Sequence, residues 1–331
     1  MTIKSCPFTI NNKKRILWEI TNRCNLKCRH CLRGTDLVNM HADIPITQVA
    51  TIIDEIRGTS QFADIWLSGG EPLLREDIIK ICWLISNAGM RPSLSTNGTL
   101  VTDSLSKDLH KAGVNYAHVS IDGVTASVHD ALRGVIGSFN KTIEGVHHLR
   151  NNGIRVGATY MVTSQSIDDV PKMVEMANSL DLQVLSFYFI EPMGKGISCD
   201  TSDRLLLNER LSCIYKSIHN SSTTIEVFRM VDKVSDGLEG CVADKFYTIS
   251  PSGVLSGCPW YTHSMNNCFG VSLNNTSFDS AVAIVENEMK KVVDEQRNRT
   301  CIDCRYNDSC GKGCPALTDK NGRDYICGLI N

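Results

Sequence analysis

The chain has 331 residues, 42% hydrophobic and 21% charged, with a formal net charge of −2 at pH 7. This is enough apolar material for one large domain or two unequal ones, and the near-neutral charge without a long basic run excludes a nucleic-acid footprint. Residues 1–14 are polar and carry no signal-peptide core, and the longest apolar stretches, such as 78–85 with Lys80 inside it, are too short to span a bilayer. A cytoplasmic protein that binds neither nucleic acid nor membrane is expected.

Strand-like apolar runs, most of them with Val, Ile, Tyr and Phe prominent, fall at 16–21, 63–68, 92–95, 116–121, 154–162 and 183–190. Between them, helical apolar spacing predicts helices near 47–57, 76–88, 104–112, 138–151 and 167–180. Thr47 and Ser166 are the expected N-caps, and Gly89, Gly113 and Gly153 the expected left-handed residues after helix ends. The alternation predicts an α/β fold: a partial (β/α)6 TIM-like barrel over 15–190, after an N-terminal extension at 1–14. In such a sheet the reactive groups belong at the carboxyl ends of the strands.

A bridging region follows at 191–240, with a loop at 192–196, a helix at 203–219 and a strand or bridge at 224–231. The last part, 241–331, reads as a small cysteine-rich domain of short hairpins with one helix near 278–297.

Fifteen cysteines without an export signal point to metal binding or catalysis rather than disulfides. Cys24, Cys28 and Cys31 stand in C-x3-C-x2-C order directly after the first barrel strand. Three thiolates can hold a [4Fe–4S] cube by three irons and leave the fourth iron open to a small molecule. A structural zinc site is the other reading, but the next cysteine, Cys82, lies far downstream. A second concentration comprises Cys241, Cys258, Cys301, Cys304, Cys310, Cys314 and Cys327, with Cys258 closing a Gly253-x4-Cys turn.

Ser68-Gly69-Gly70-Glu71-Pro72 follows the second strand, where glycines let backbone approach a ligand and Glu71 can accept from an ammonium group. Ser95-Thr96-Asn97-Gly98 ends the third strand and Ser120-Ile121-Asp122-Gly123 the fourth. Each of these strings also serves as an ordinary turn.

The three-cysteine loop and the Gly-Gly-Glu-Pro string at this spacing resemble the radical SAM superfamily. The resemblance implies that the open iron chelates S-adenosylmethionine and cleaves it to a 5′-deoxyadenosyl radical. It further implies that Ser68, Gly69, Gly70 and Glu71 hold the methionine amino group, and that Ser120 and Arg133 contact its carboxylate. Asn97 and Asp122 would line the nucleoside, with His30 beside adenine. The second cysteine group resembles the SPASM extension of these enzymes, which carries one or two auxiliary iron–sulfur clusters. By that pattern Cys301, Cys304, Cys310 and Cys327 hold the distal cluster, and Cys314 joins Cys241 and Cys258 on the proximal one. Anaerobic sulfatase-maturating enzymes have one more cysteine where this chain has Phe246, Tyr247 and Thr248, so the proximal cluster is expected to be open or to take Asp244 or Cys268, as a [4Fe–4S] or [2Fe–2S] centre.

Leu17-Trp18-Glu19-Ile20-Thr21 and the lone Cys241 before the G-x4-C turn are most similar to the mycofactocin and pyrroloquinoline quinone maturases. That implies hydrogen abstraction from a ribosomally made precursor peptide, leading to a crosslink, oxidation, decarboxylation or epimerisation. A separate leader-binding protein and a reductant such as flavodoxin or ferredoxin are the implied partners. Cys199 and Cys268 are candidate hydrogen-atom donors, core or surface filler being the other reading of each. Two rival functions stand beside this one: modification of a small molecule (an aminoglycoside sugar or haem precursor), and a non-catalytic iron–sulfur or zinc protein.

Overall fold

A computed structural model of the chain describes residues 2–4, 14–33, 43–59, 61–191, 193–199, 204–217, 221–228, 246–263 and 269–300. In chain order the barrel elements are β1 (Thr2–Lys4), β2 (Lys14–Thr21), α1 (Ile46–Thr59), β3 (Phe62–Gly69), α2 (Ile78–Asn87), β4 (Arg91–Thr96), α3 (Asp103–Lys111) and β5 (Tyr116–Ser120). They continue with α4 (Ala126–Arg133), α5 (Ser138–Asn151), β6 (Arg155–Val162), α6 (Val170–Ser179), β7 (Val184–Phe189), α7 (Arg204–Ser217) and β8 (Thr224–Phe228). Beyond them lie β9 (Phe246–Ile249), β10 (Val254–Ser256), α8 (Pro259–His263), β11 (Val271–Ser272) and α9 (Phe278–Thr300).

All eleven strands join one sheet in the order β1-β8-β7-β6-β5-β4-β3-β2-β9-β10-β11. Strands β2 to β7 pair in parallel in sequence order, as six of the sequence runs predict, with β8 and β1 added in parallel at one end. At the other end β9 pairs in parallel with β2, and β10 and β11 extend it antiparallel. The described part of the cysteine-rich region therefore continues the barrel sheet.

Strand alternation sorts the side chains. Ile16, Trp18 and Ile20 of β2 are fully buried in the core they share with Val49, Ile52, Ile53 and Ile56 of α1. The opposite face carries polar and aromatic groups: Arg15 lies over the Trp66 ring, and Trp66, Tyr116 and His118 stand with centroids 5.7–6.1 Å apart. That inner surface is the lumen of the barrel.

Gly89, Gly113 and Gly153 have the expected positive φ just past α2, α3 and α5. The N-cap expectation for Thr47 does not hold. Helix α1 begins at Ile46, so Thr47 sits inside it and its carbonyl accepts from the Thr51 hydroxyl. Ser166 does stand at the N-cap position of the short 3-10 turn Ile167–Asp169 that leads into α6, but its hydroxyl makes no capping bond; it accepts from Thr163 N and donates to Met161 O.

Candidate active site

The cysteine loop begins where β2 ends and is clamped from two sides. From β3, Gly70 N donates to Thr21 O at 2.9 Å and Glu71 N to Arg23 O at 2.8 Å. Gly69 has φ +121°, and a Cβ on Gly70 would collide with the Arg23 carbonyl, so the sequence needs glycine to bring these backbones together. From α4, the last helical carbonyls, which have no partner inside a helix, accept from the loop: Lys27 N to Arg133 O at 3.1 Å and Arg29 N to Leu132 O at 2.9 Å.

Glu71 is fully buried. Its Oε1 accepts from Thr96 Oγ1 at 2.7 Å and Leu73 N at 3.2 Å, and Oε2 from Asn97 N at 2.8 Å. The carboxylate thus links the loop after β3 to the end of β4. Asn97 continues the strut, donating to Asn25 Oδ1 in the cysteine loop at 2.8 Å and accepting from Thr99.

Asp122 and Arg133 likewise meet each other. Arg133 Nε lies 2.6 Å from Asp122 Oδ2, and its Nη1 donates to Cys28 Sγ at 3.6 Å. Asp122 is 0% exposed and its Oδ1 accepts from Met161 N at 3.0 Å. The two residues form an internal ion pair behind Cys28. His30 Nε2 is 3.7 Å from the same Asp122 oxygen, and burial pushes its pKa down to about 4, so the ring is neutral. The Ser120 hydroxyl makes no hydrogen bond among the described residues and stands at the carboxyl end of β5. Ser68 stands at the corresponding end of β3.

Two of the three thiols are shifted in the same direction. Burial raises the pKa of Cys24 and Cys28, and for Cys28 the Arg133 guanidinium works against that rise. Among the described residues no three His, Cys, Asp or Glu side chains converge as ligands of a single ion. A cubic cluster spreads its ligands over its corners, and three soft thiols on one clamped loop suit it.

Cys199 follows β7 and joins this loop. Lys195 N donates to Cys31 O at 2.9 Å, and the Cys199 thiol lies 3.6 Å from Arg29 O. Cys258 is buried beside α8. Cys241, Cys268, Cys301, Cys304, Cys310, Cys314 and Cys327 lie outside the described residues, as does Asp244.

Sequence reasoning missed one cluster. Glu19, buried on β2 beside Ser68, accepts or shares a proton with His263 Nε2 at 2.8 Å, while Arg33 Nε stands 3.7 Å from the same oxygen. Burial pushes the Glu19 carboxyl up, but His263 and Arg33 together hold it below the usual range. The trio ties the barrel, the cysteine loop and the helix after Cys258. Its only sequence signal is the acid in an otherwise apolar strand.

A parallel partial barrel with a three-thiol loop, a glutamate strut and a buried arginine at its carboxyl edge defines a TIM-like enzyme built around a bound cofactor. The Radical SAM superfamily profile matches residues 18–177. The AdoMet-dependent heme synthase of Methanosarcina barkeri is 30% identical over 334 residues, covering 96% of this chain and 95% of that protein. This chain belongs to the radical SAM superfamily, which implies S-adenosylmethionine and a [4Fe–4S] cluster. The mycofactocin maturase MftC of Mycolicibacterium smegmatis is 26% identical, covering 91% of this chain and 78% of its own. Streptococcus suis SuiB bound to S-adenosylmethionine shares the fold, with a TM-score of 0.73 at 16% identity over 95% of this chain and 77% of that one.

Proposed function

We propose that this enzyme abstracts a hydrogen atom from a ribosomally made precursor peptide. The observation that carries the radical chemistry is the double clamp on the Cys24–Cys31 loop, with Arg133 bonded to Cys28. When bound, a reduced [4Fe–4S] cluster would supply the one electron that cleaves S-adenosylmethionine to methionine and a 5′-deoxyadenosyl radical. Cys24, Cys28 and Cys31 hold the cluster. The backbone of Ser68, Gly69 and Gly70 and the free Ser120 hydroxyl receive the methionine end, while neutral His30 packs beside adenine. Glu71, Asn97, Asp122 and Arg133 keep those groups in place.

Cys258, with Cys241 and Cys314, and the group Cys301, Cys304, Cys310 and Cys327 are the residues that would hold auxiliary clusters. These would accept one electron from the substrate radical as it is oxidised to product. Likeness to the mycofactocin maturase supports the peptide reading. A leader-binding protein and a flavodoxin or ferredoxin in the cytoplasm complete it. No helix among the described residues is long and apolar enough to cross a membrane.

A second reading, a haem precursor as substrate, is favoured by the 30% identity with the heme synthase across nearly the whole of both chains. Two experiments separate the possibilities. Anaerobic dithionite and S-adenosylmethionine should yield 5′-deoxyadenosine with the wild type and none with Cys28→Ala; no product from either sinks the enzyme reading. A mass change in a peptide encoded beside the gene supports the first substrate, and a shifted Soret band with an iron porphyrin, followed by a mass change in it, supports the second.

A further inference from the structure

Glu19 is the one acid of β2 and sits between Trp18 and Ile20, which are both fully buried. It falls four residues after Arg15 on the strand face that looks into the lumen, with Ser68 of β3 as its register partner. Its own exposure is 4%. Everything that holds it converges on one oxygen: His263 Nε2 stands 2.8 Å from Oε1, and Arg33 Nε 3.7 Å from the same atom. Arg33 is fixed in turn, its Nη1 donating to Thr21 O at 2.9 Å and its Nη2 to Asn22 Oδ1.

The other oxygen, Oε2, makes no hydrogen bond among the described residues, yet protein does not enclose it. A carboxylate that serves only as a tie engages both oxygens, as Glu71 does with Thr96, Leu73 and Asn97. Burying a charged group with half of its acceptor capacity unused lowers stability, and an aliphatic residue would suit this strand without that loss. Against its burial, His263 and Arg33, the charged and titratable groups that face it, hold the carboxyl below the usual carboxylate range. Glu19 is therefore ionised at neutral pH, with one oxygen open to the lumen.

We propose that Glu19 is a catalytic residue whose Oε2 takes the proton released as the substrate radical is oxidised, the attacked carbon bearing an N–H or O–H group. Hydrogen abstraction leaves an unpaired electron on that carbon. One electron then departs to an iron–sulfur acceptor, the N–H or O–H proton passes to Oε2, and the bonding pair left behind closes a C=N or C=O bond. Loss of the electron makes that proton strongly acidic, so a weakly basic carboxylate suffices. Proton and electron leave at one corner: α8, which carries His263, begins directly after Cys258. The inference rests on the proposed function and narrows it, because a decarboxylation releases carbon dioxide and needs no proton acceptor.

Two measurements on the full reconstituted chain test this. The first needs no substrate: a water-soluble carbodiimide with glycine ethyl ester is applied anaerobically under native conditions, and mass spectrometry locates the labelled acids. Glu19 should be labelled and Glu71 spared; a Glu19 as unreactive as Glu71 overturns the inference. The second uses the peptide encoded beside the gene, with dithionite and S-adenosylmethionine. Product formed per 5′-deoxyadenosine should fall about a hundredfold in Glu19→Gln and recover in part in Glu19→Asp. A merely structural Glu19 would lower both yields together and keep the wild-type ratio, which overturns the inference, as does a wild-type product that has lost carbon dioxide. A wild type that leaves the peptide unaltered strikes the proposed function instead, and the labelling of Glu19 against Glu71 still decides this inference.

Discussion

Arg133 links Cys28 to Asp122: one guanidinium reaches the sulfur at 3.6 Å and the buried carboxylate at 2.6 Å. Each partner raises the pKa of the arginine against the opposing effect of its burial. Arg133→Met should therefore strand a carboxylate that has 0% exposure, costing about 3–5 kcal/mol in anaerobic urea unfolding. Asp122→Asn/Arg133→Met should recover part of that loss while still retaining less iron than the wild type. A double variant no more stable than Arg133→Met would refute the ion pair as the source of the cost.

The glycine clamp makes an equally direct prediction. Gly70→Ala forces a Cβ onto the Arg23 carbonyl and should lower stability by about 1–3 kcal/mol. Gly58, in α1 with nothing within 4 Å of the added carbon, is the control: Gly58→Ala should raise stability by about 0.5–1 kcal/mol. Thermal melts of the two variants, run side by side, must move in opposite directions.

His118 and His129 are both held near pKa 4, chiefly by burial. His118 Nδ1 faces the Tyr116 hydroxyl at 3.0 Å, and His129 Nδ1 accepts from Asp122 N at 3.1 Å. In the unfolded chain these rings take a proton near pH 6.5, in the folded one only near pH 4. The unfolded state binds more protons across that window, so stability falls as pH drops from 6.5 towards 4, by up to about 3 kcal/mol per ring. Urea midpoints at pH 7.0, 5.5 and 4.5 should show the decline, and His118→Gln should flatten it.

Removing His263 leaves the buried Glu19 facing Arg33 alone at 3.7 Å. His263→Ala should destabilise the chain by about 3 kcal/mol, and Glu19→Gln in the same background should restore much of it. Additive losses in that cycle would show that the two side chains do not depend on each other.

Cysteine reactivity separates the core thiol from the rest. Burial pushes the Cys82 thiol up to about 12, and its side chain is wholly enclosed in α2, as expected from its apolar neighbours. Cys213 is exposed on α7. Iodoacetamide under native conditions should label Cys213 and spare Cys82 until denaturant is added.

The sequence made most of the strands legible because they carry dense runs of β-branched and aromatic residues, as in Ile16, Trp18 and Ile20. It did not disclose α4. The buried residues of that helix are His129 and Arg133, so its inward face is polar and no apolar stripe marks it. The cysteine loop and the Gly-Gly-Glu-Pro string were found because their residues are local. What Glu71 faces was not local: its carboxylate is claimed by Thr96 and Asn97 on the next strand. The Glu19–His263 pair spans 244 positions, a separation no short pattern can report.

The pairing of β9 with β2, from Arg15 against Phe246 to Trp18 against Ile249, has a consequence for how the molecule comes into being. A ribosome must deliver most of the polypeptide before the first barrel strand loses its open flank. Until then a nascent chain carries a hydrophobic, unpaired edge, the feature that draws chaperones and seeds aggregation.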